Sequence, residues 1–546
     1  MSPTRREFLQ SGAVAAAGLW LPSVAARAAR APRVAEFEPT WASLAQYRTP
    51  DWFRDAKFGM WAHWGPQCVP EYGDWYARNM YIPGQRQYVA HLARYGHPSK
   101  SGFKDIIHQW RAEEWRPDDL VALYKQAGAQ YFMALAKHHD NMDLWDSKHQ
   151  PWNSVRVGPR KDLIGGWARA TRRAGMRFGV SVHASRAWSW YEVAQGADKS
   201  GPLAGVPYDG KLTRAQGKGQ WWDGLDPQDL YEQRHTPGRQ LEWDWDASKG
   251  SSVPDRAYCE RYFARTIDLI DRYEPDLVYF DDHRLPLDPV SDVGLRIAAH
   301  FYNRNMQRHG GRLEAVLTGK VLNEEQRKCM VWDIERGVAN ELQPLPFQTD
   351  TCIGDWHYSR PVLARHGYKT PQMVAQMLVD IVSKNGNLML NIPLPGSGAP
   401  DDDELAFIAD FGRWMSTNGR AIYASRPWAV FGEGPSTLAQ EPLRAQGFNE
   451  GRNKPYTAED LRFVQKDGKL YAFALAWPES GTLTIRSLAS GSPRAPGQVE
   501  RVELLGAPAP LEHVRTAEGL TITLPQRRQG DYVYTFEISG AGLVSG

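Results

Sequence analysis

Ionisable residues recur at the ends of short apolar runs along this chain. FGMWAHW ends near His63, YFMALAK precedes His138 and His139, and RFGVSVH ends at His183. LVYFDD supplies Asp281 and Asp282, EAVLTGK ends at Lys320, and CMVWDIE ends at Glu335. FQTDTCI carries Asp350 and NLMLNIP carries Asn391. One such residue is readily a strand-end cap, but eight in succession point to an active site. Asp281 and Glu335 close runs two strands apart. Two carboxylates that face each other can divide the cleavage of a glycosidic bond: one attacks or assists at the anomeric carbon while the other protonates the leaving oxygen. Their pKa values must then differ, which different surroundings supply. Competing readings stay open: Asp282 is the alternative nucleophile, and Glu335 can instead pair with Arg336 or Arg327. The histidines fit either hydrogen bonding to sugar hydroxyls or a metal site of His and Asp ligands. The chain lacks an H-x-H pair at the first strand end and an H-E-x-x-H helix. The expectation is therefore no metal.

Residues at strand ends need a scaffold that gathers those ends. Apolar runs of this length, bounded by turn signals, read as strands buried on both faces. Eight of them alternating with helical stretches predict an α/β fold, a closed (β/α)8-like barrel with its chemistry at the strand C-termini. Helices are expected around Pro117, Leu163–Ala174, Arg256–Tyr273, Val290–Arg308 and Pro371–Ser383. The connections after strands five, six and seven look irregular, so the barrel is expected to be imperfect. Gly196–Gly219, rich in Gly, Lys and Asp, reads as a long loop over the barrel mouth. After Trp428 the runs LRFVQKDGKLYAFALAWP, TLTIRS, VERVELLG, LTITLP and YVYTFEI alternate apolar and polar residues, with hairpin turns at Asp467-Gly468 and Glu518-Gly519. That pattern predicts a small antiparallel β-sandwich with an accessory role.

The whole chain bounds the rest. At 546 residues it exceeds one compact core, so two domains are expected. Its 22 Trp favour a carbohydrate ligand, because indole offers a flat apolar face to a sugar ring. A net charge of +2 without a basic stripe excludes a nucleic-acid partner. Thr4-Arg5-Arg6-Glu7-Phe8-Leu9, then the apolar stretch Ala13–Ala26 and two A-x-A sites, reads as a twin-arginine export signal. The expected division is a signal over 1–28, a lead-in over 29–45, the barrel over 46–428 and the sandwich over 429–546. The product is expected in the periplasm or secreted, with no membrane span after cleavage. Cys68, Cys259, Cys329 and Cys352 are widely spaced and read as packing thiols.

FRDAKFGMWAHWGP, GDWYARNM, KHHDNMDLW, PDLVYFDD, LVDIVSKNGNLMLNIPL and NGRAIYASRPW together resemble the successive blocks of glycoside hydrolase family 29, the α-L-fucosidases. The resemblance runs in order from about Trp52 to Trp428, and the sandwich fits that family's C-terminal domain. It implies a retaining exo-glycosidase without cofactor, acting on terminal fucose of oligo- or polysaccharides. By motif it implies Asp281 as nucleophile, with His63, Trp75, His138 and His139 on the fucose hydroxyls. Asp74 stands where the family has Glu, and Tyr279 where it has Trp. Ser181-Val182-His183 replaces a Tyr-Tyr-Ser block, and Lys320 is the base nearest to an absent strand-five Arg. Asp74, His183 and Tyr279 are accordingly expected sugar contacts. The acid/base varies in position across the family; Glu335 is the choice here, with Glu341 and Glu325 as alternates. A galactose-type glycosidase and a non-catalytic carbohydrate-binding protein are the competing functions.

Overall fold

A computed structural model describes residues 36–241, 245–438, 447–450 and 455–544. The expected export signal and residues 29–35 of the lead-in lie outside the described residues. Eight parallel strands close into a barrel in sequence order. They are β1 (Phe58–Ala62), β2 (Tyr131–Lys137), β3 (Arg177–Val182), β4 (Leu277–Phe280), β5 (Val316–Gly319), β6 (Val331–Glu335), β7 (Phe347–Cys352) and β8 (Gly386–Asn391). Each matches one of the apolar runs, and almost every strand residue is buried, as strands covered on both faces require. β8 closes on β1 with Phe58 opposite Leu388 and Trp61 opposite Asn391.

Helices Pro117–Gln126, Leu163–Arg173, Arg256–Tyr273, Val293–Arg308 and Pro371–Ser383 wrap the barrel. Their starts follow local chemistry. Asp255 accepts from the Tyr258 N–H, and Thr370 accepts from the Met373 N–H with Pro371 in the first turn. The irregular connections are real after β5, where only the short turn Gln326–Lys328 intervenes, and after β6, where no helix occurs among the described residues. After β7 the irregular part gives way to the helix at Pro371, so the departure from a regular barrel is confined mainly to one side.

Gly196–Gly219 does not behave as expected. It belongs to the long β3–β4 connection but is stapled sideways onto the β1–β2 connection. Asp198 accepts from the Tyr88 and Tyr208 hydroxyls at 2.7 and 2.5 Å. Buried Asp209 accepts from Tyr81 and Tyr231 at 2.7 and 2.6 Å. None of its residues lines the mouth. Carboxylates that satisfy tyrosine hydroxyls hold it down, a pairing that composition alone does not reveal.

The second unit has two antiparallel sheets among the described residues, one of five strands and one of three. The strands are β9 (Arg426–Glu433), β10 (Leu461–Lys466), β11 (Lys469–Ala474), β12 (Thr482–Ile485), β13 (Arg501–Leu504), β14 (His513–Arg515), β15 (Leu520–Thr523) and β16 (Tyr534–Ser539). A core including Phe463, Ile485, Leu520 and Phe536 lies between them. Asp467 and Gly468 both have positive φ, as a two-residue hairpin turn needs. β9 starts before residue 428 and pairs with β10, so the expected division at 428/429 falls within a strand. The four cysteines are buried and free. No described helix is long and apolar enough to cross a membrane.

Candidate active site

The strand C-termini open into a cavity of about 510 Å³, within the range of small-molecule sites. Its wall includes His63, Asp74, Trp75, His138, His139, His183, Tyr279, Asp281 and Glu335. The nine expected site residues are thus brought together. Glu325 is instead an exposed partner of Lys328, and Glu341 lies on the surface; neither alternate lines the cavity.

The centre of the site is an ammonium between two carboxylates. Lys320, from the end of β5, contacts Asp281 Oδ1 on the β4 side and Glu335 Oε2 on the β6 side. Neighbouring strands enforce this, since β5 pairs with both β4 and β6. Two hydrogen bonds from one nitrogen keep those oxygens within about 6 Å of each other. Glu335 does not pair with Arg336 or Arg327: Arg336 holds Glu450 at 2.9 Å, and Arg327 lies over Trp332.

The two carboxyls differ in charge state. Burial pushes Asp281 up, but the Lys320 charge and the imidazoles of His139 and His183 outweigh it, so the group is held well below the usual carboxylate range. His139 Nε2 and His183 Nδ1 lie 3.2 and 3.1 Å from Asp281 Oδ2. For Glu335, burial wins over the Lys320 charge, and nearby Asp281 and Asp350 add to it, raising the carboxyl to about 7. Asp282 takes a hydrogen bond from Ser185 Oγ at 2.5 Å, and burial raises it to about 7. At neutral pH Asp281 is ionised, and its neighbour is far more easily protonated.

The remaining residues build a polar wall. Burial drives His63 and His138 well below the usual histidine range and His183 to about 4, with neighbouring imidazoles adding to the effect. Neutral imidazoles each offer one donor and one acceptor. Both ring nitrogens of His63, Nε2 of His183 and Nε2 of His357 have no protein partner among the described residues, so they can bond a ligand in the cavity. Asp74 lies in the wall, but its carboxylate is spent on the β7 loop, accepting from the backbone N–H of Trp356 and His357 at 3.2 and 2.8 Å. The Tyr279 hydroxyl points down into the barrel and donates to Asp350 at 2.9 Å; its ring packs on Trp61. Trp75 rests on Trp190 with centroids 5.0 Å apart.

His357 and Trp356 were not foreseen. They follow β7 by a few residues and are tied to β8 by Asn391, which donates to the Trp356 carbonyl at 2.9 Å and accepts from the His63 N–H at 2.8 Å. The central role of Lys320 was likewise missed, although strand order was a usable signal: in a sequential barrel the fifth strand end must lie between the fourth and the sixth.

Two groups of histidines, His63–His138–His357 and His138–His139–His183, have ligand atoms close enough to hold a metal ion. The orientation of His138 opposes this. The Gln67 carbonyl accepts from the Ala77 N–H at 3.2 Å, which turns its amide nitrogen toward His138 Nδ1 at 2.7 Å and Asp140 at 3.2 Å. His138 Nδ1 therefore accepts, and Nε2 carries the proton of the neutral ring. That leaves a donor suited to a hydroxyl.

Comparison with known proteins agrees with this architecture. The alpha-L-fucosidase family model matches residues 24–420, and the alpha-L-fucosidase C-terminal domain model matches 453–539. Tissue alpha-L-fucosidase of Rattus norvegicus is 25% identical over 91% of this chain and 90% of its own length. The Homo sapiens tissue enzyme is 25% identical over 94% of each. Among solved structures, Thermotoga maritima alpha-fucosidase in complex with a mechanism-based inhibitor superposes with a TM-score of 0.67 at 23% identity, covering 92% of this chain and 99% of that one. Alpha-L-fucosidase isoenzyme 1 from Paenibacillus thiaminolyticus gives 0.60 at 19% identity, with the same coverage. With both domains matched in order, the chain belongs to glycoside hydrolase family 29, the alpha-L-fucosidase family.

Proposed function

We propose that this protein is a retaining exo-α-L-fucosidase that releases terminal L-fucose from oligo- or polysaccharides. The observation that carries the reading is the single Lys320 ammonium spanning Asp281 and Glu335. The bridge brings one oxygen of each carboxyl within about 6 Å of the other, which favours the retaining arrangement, in which the two carboxyls lie about 5–5.5 Å apart. Asp281, ionised, attacks the anomeric carbon through Oδ1, the oxygen on Glu335's side, while His139 and His183 hold Oδ2. Glu335, protonated below about 7, gives its proton to the glycosidic oxygen. It then takes a proton from the water that releases the sugar. Lys320 occupies the space between them until the substrate enters, and keeps the nucleophile charged. His63, His138, His183 and His357 exchange hydrogen bonds with the ring hydroxyls, and the exposed indole of Trp75 offers the sugar an apolar face.

Hydrolysis of a panel of aryl glycosides tests this, with α-L-fucoside expected to be cleaved far faster than β-D-galactoside and α-D-galactoside, and with retention of configuration by NMR. Preference for a galactoside would reassign the sugar. We also propose export to the periplasm or medium. The support is the Arg5-Arg6 pattern and the small-residue sites near Ala28. N-terminal sequencing of the exported protein checks it.

A further inference from the structure

The second domain sends one short segment back to the catalytic strand. Residues 447–450 lie between β9 and β10 in sequence, yet they run beside the end of β6. Gly447 forms a parallel bridge with Glu335, and the Phe448 N–H donates to the Glu335 carbonyl at 2.7 Å. The Glu450 N–H donates to the Arg336 carbonyl at 3.0 Å, and Asn449 Oδ1 accepts from the Val338 N–H at 2.9 Å. The Glu450 carboxylate is gripped from three sides, by Arg336 at 2.9 Å, Lys369 at 3.0 Å and Thr351 at 2.7 Å. The fit leaves no room for slack. A Cβ on Gly447 would meet the Glu335 carbonyl at 2.7 Å, and one on Gly337 would meet Asn449 at 2.9 Å.

What this anchor presents is unfavourable for the free protein. Phe448 has φ +54, a left-handed conformation that is unfavourable for a bulky residue. The residue is 68% exposed and lines the cavity. A strained backbone and an exposed ring on a firmly fixed segment are the pattern expected where a side chain is held ready for a ligand. Its place names the ligand. Phe448 is bonded to the backbone of the proposed acid, whose carboxyl must meet the oxygen that leaves. The ring therefore stands on the leaving-group side of the scissile bond.

We propose that Phe448 forms a subsite for the leaving sugar, stacking on the apolar face of a pyranose attached to the fucose. The second domain thereby takes part in substrate selection. This inference rests on the fucosidase reading above, so its test separates the two. Wild type, Phe448→Ala and Phe448→Trp are assayed for kcat/KM on α-L-fucosyl fluoride, which has no leaving sugar. The same proteins are assayed on a panel of fucosyl disaccharides differing in linkage and leaving sugar. The ratio of the best disaccharide to the fluoride is expected to fall roughly 10-fold in Phe448→Ala and to be restored in Phe448→Trp. A ratio left at the wild-type value in Phe448→Ala overturns the subsite. So does a wild type that hydrolyses the fluoride but no disaccharide. A wild type inert toward the fluoride and the aryl fucoside fails the fucosidase reading itself, and the subsite with it.

Discussion

Two buried clusters in this molecule are built from the same parts, a carboxylate and basic side chains. Where the barrel meets the second domain, Asp380 receives Arg462 Nε at 2.6 Å and Lys384 Nζ at 2.8 Å. Arg462 also donates to the Leu461 carbonyl and Ser436 Oγ, and Lys384 to the Ala339 carbonyl. The side-chain atoms of this triad all have partners. At the barrel mouth, Lys320 joins Asp281 and Glu335, but His63, His183 and His357 keep ring nitrogens without a partner among the described residues. The first cluster is closed and the second open. A closed cluster serves the fold, because breaking it strands a buried charge. An open one leaves polar atoms facing the cavity, where a ligand can satisfy them. Mutations at the two places should therefore separate catalysis from stability.

The largest effect is expected from Asp281→Ala, which should lower kcat on aryl fucoside by about 10⁴-fold or more. Added azide should partly restore turnover as the inverted β-linked glycosyl azide. The fold should hold, because Glu335 can ionise and balance Lys320 when Asp281 is gone. Calorimetry should show little loss of the unfolding midpoint. If Asp282→Ala shows the azide rescue and Asp281→Ala does not, the nucleophile is the neighbouring residue.

Glu335→Ala comes next. A substrate with a poor leaving group should lose about 10²–10⁴-fold in kcat/KM, whereas an activated aryl fucoside should keep its first step. The pH dependence has a definite sign. The acid works only while protonated, so wild-type kcat/KM should fall as pH rises through about 7. That basic limb should vanish in Glu335→Ala. A limb that survives the substitution assigns the proton to another group.

The closed cluster predicts the opposite pattern. Arg462→Ala should cost about 3–5 kcal/mol of unfolding free energy by denaturant titration, with kcat/KM unchanged at temperatures where the variant is folded. Because the basic partners outweigh burial and hold Asp380 below the usual carboxylate range, its contribution is present above the unfolded-state pKa of about 4. It is lost as pH falls through the lower folded value. The stability gap between wild type and Arg462→Ala should therefore narrow below pH 4. A variant that loses activity without losing stability would erase the distinction between the clusters.

How much of this was legible in the sequence follows from how local each cause is. The barrel strands were legible because burial on both faces writes itself as unbroken apolar runs, and Asp281 and Glu335 because they terminate two of them. His357 was not, since it lies beyond the end of β7 and its place is set by Asp74, 283 residues away. Phe448 had no signal at all: its contacts are to the backbone of β6 and depend on how a non-periodic segment crosses between domains. The Gly196–Gly219 stretch misled because composition marks a loop but not where it docks. Asp74 and Tyr279 lie in the cavity wall, yet their polar atoms are turned to protein partners, an orientation that only side-chain packing decides.

The smallest expected effect is the response to chelation, and it probes the open cluster directly. Three histidines with mutually close ring nitrogens invite a metal reading. A tetrahedral site would need lone pairs from His63, His138 and His357 to converge. His357 complies: its Nδ1 faces Asp74 at 3.3 Å, which places the proton there and leaves Nε2 as an acceptor. His63 is free to comply. His138 is not, because Gln67 donates to its Nδ1 and the Gln67 amide cannot turn without losing the Ala77 N–H and presenting its carbonyl to Asp140. The wall therefore mixes donors and acceptors, which matches hydroxyl groups, each of them both donor and acceptor. Activity should survive prolonged EDTA treatment within experimental error, and added zinc should not raise it. Gln67→Glu combined with Asp140→Asn should reverse the argument: the new carboxylate can accept from Nδ1–H and from the amide at position 140, freeing Nε2 as a ligand, so this variant should bind zinc more tightly than wild type by titration calorimetry. Loss of wild-type activity on chelation, restored by zinc or manganese, would close the open cluster around an ion and remove the sugar from its centre.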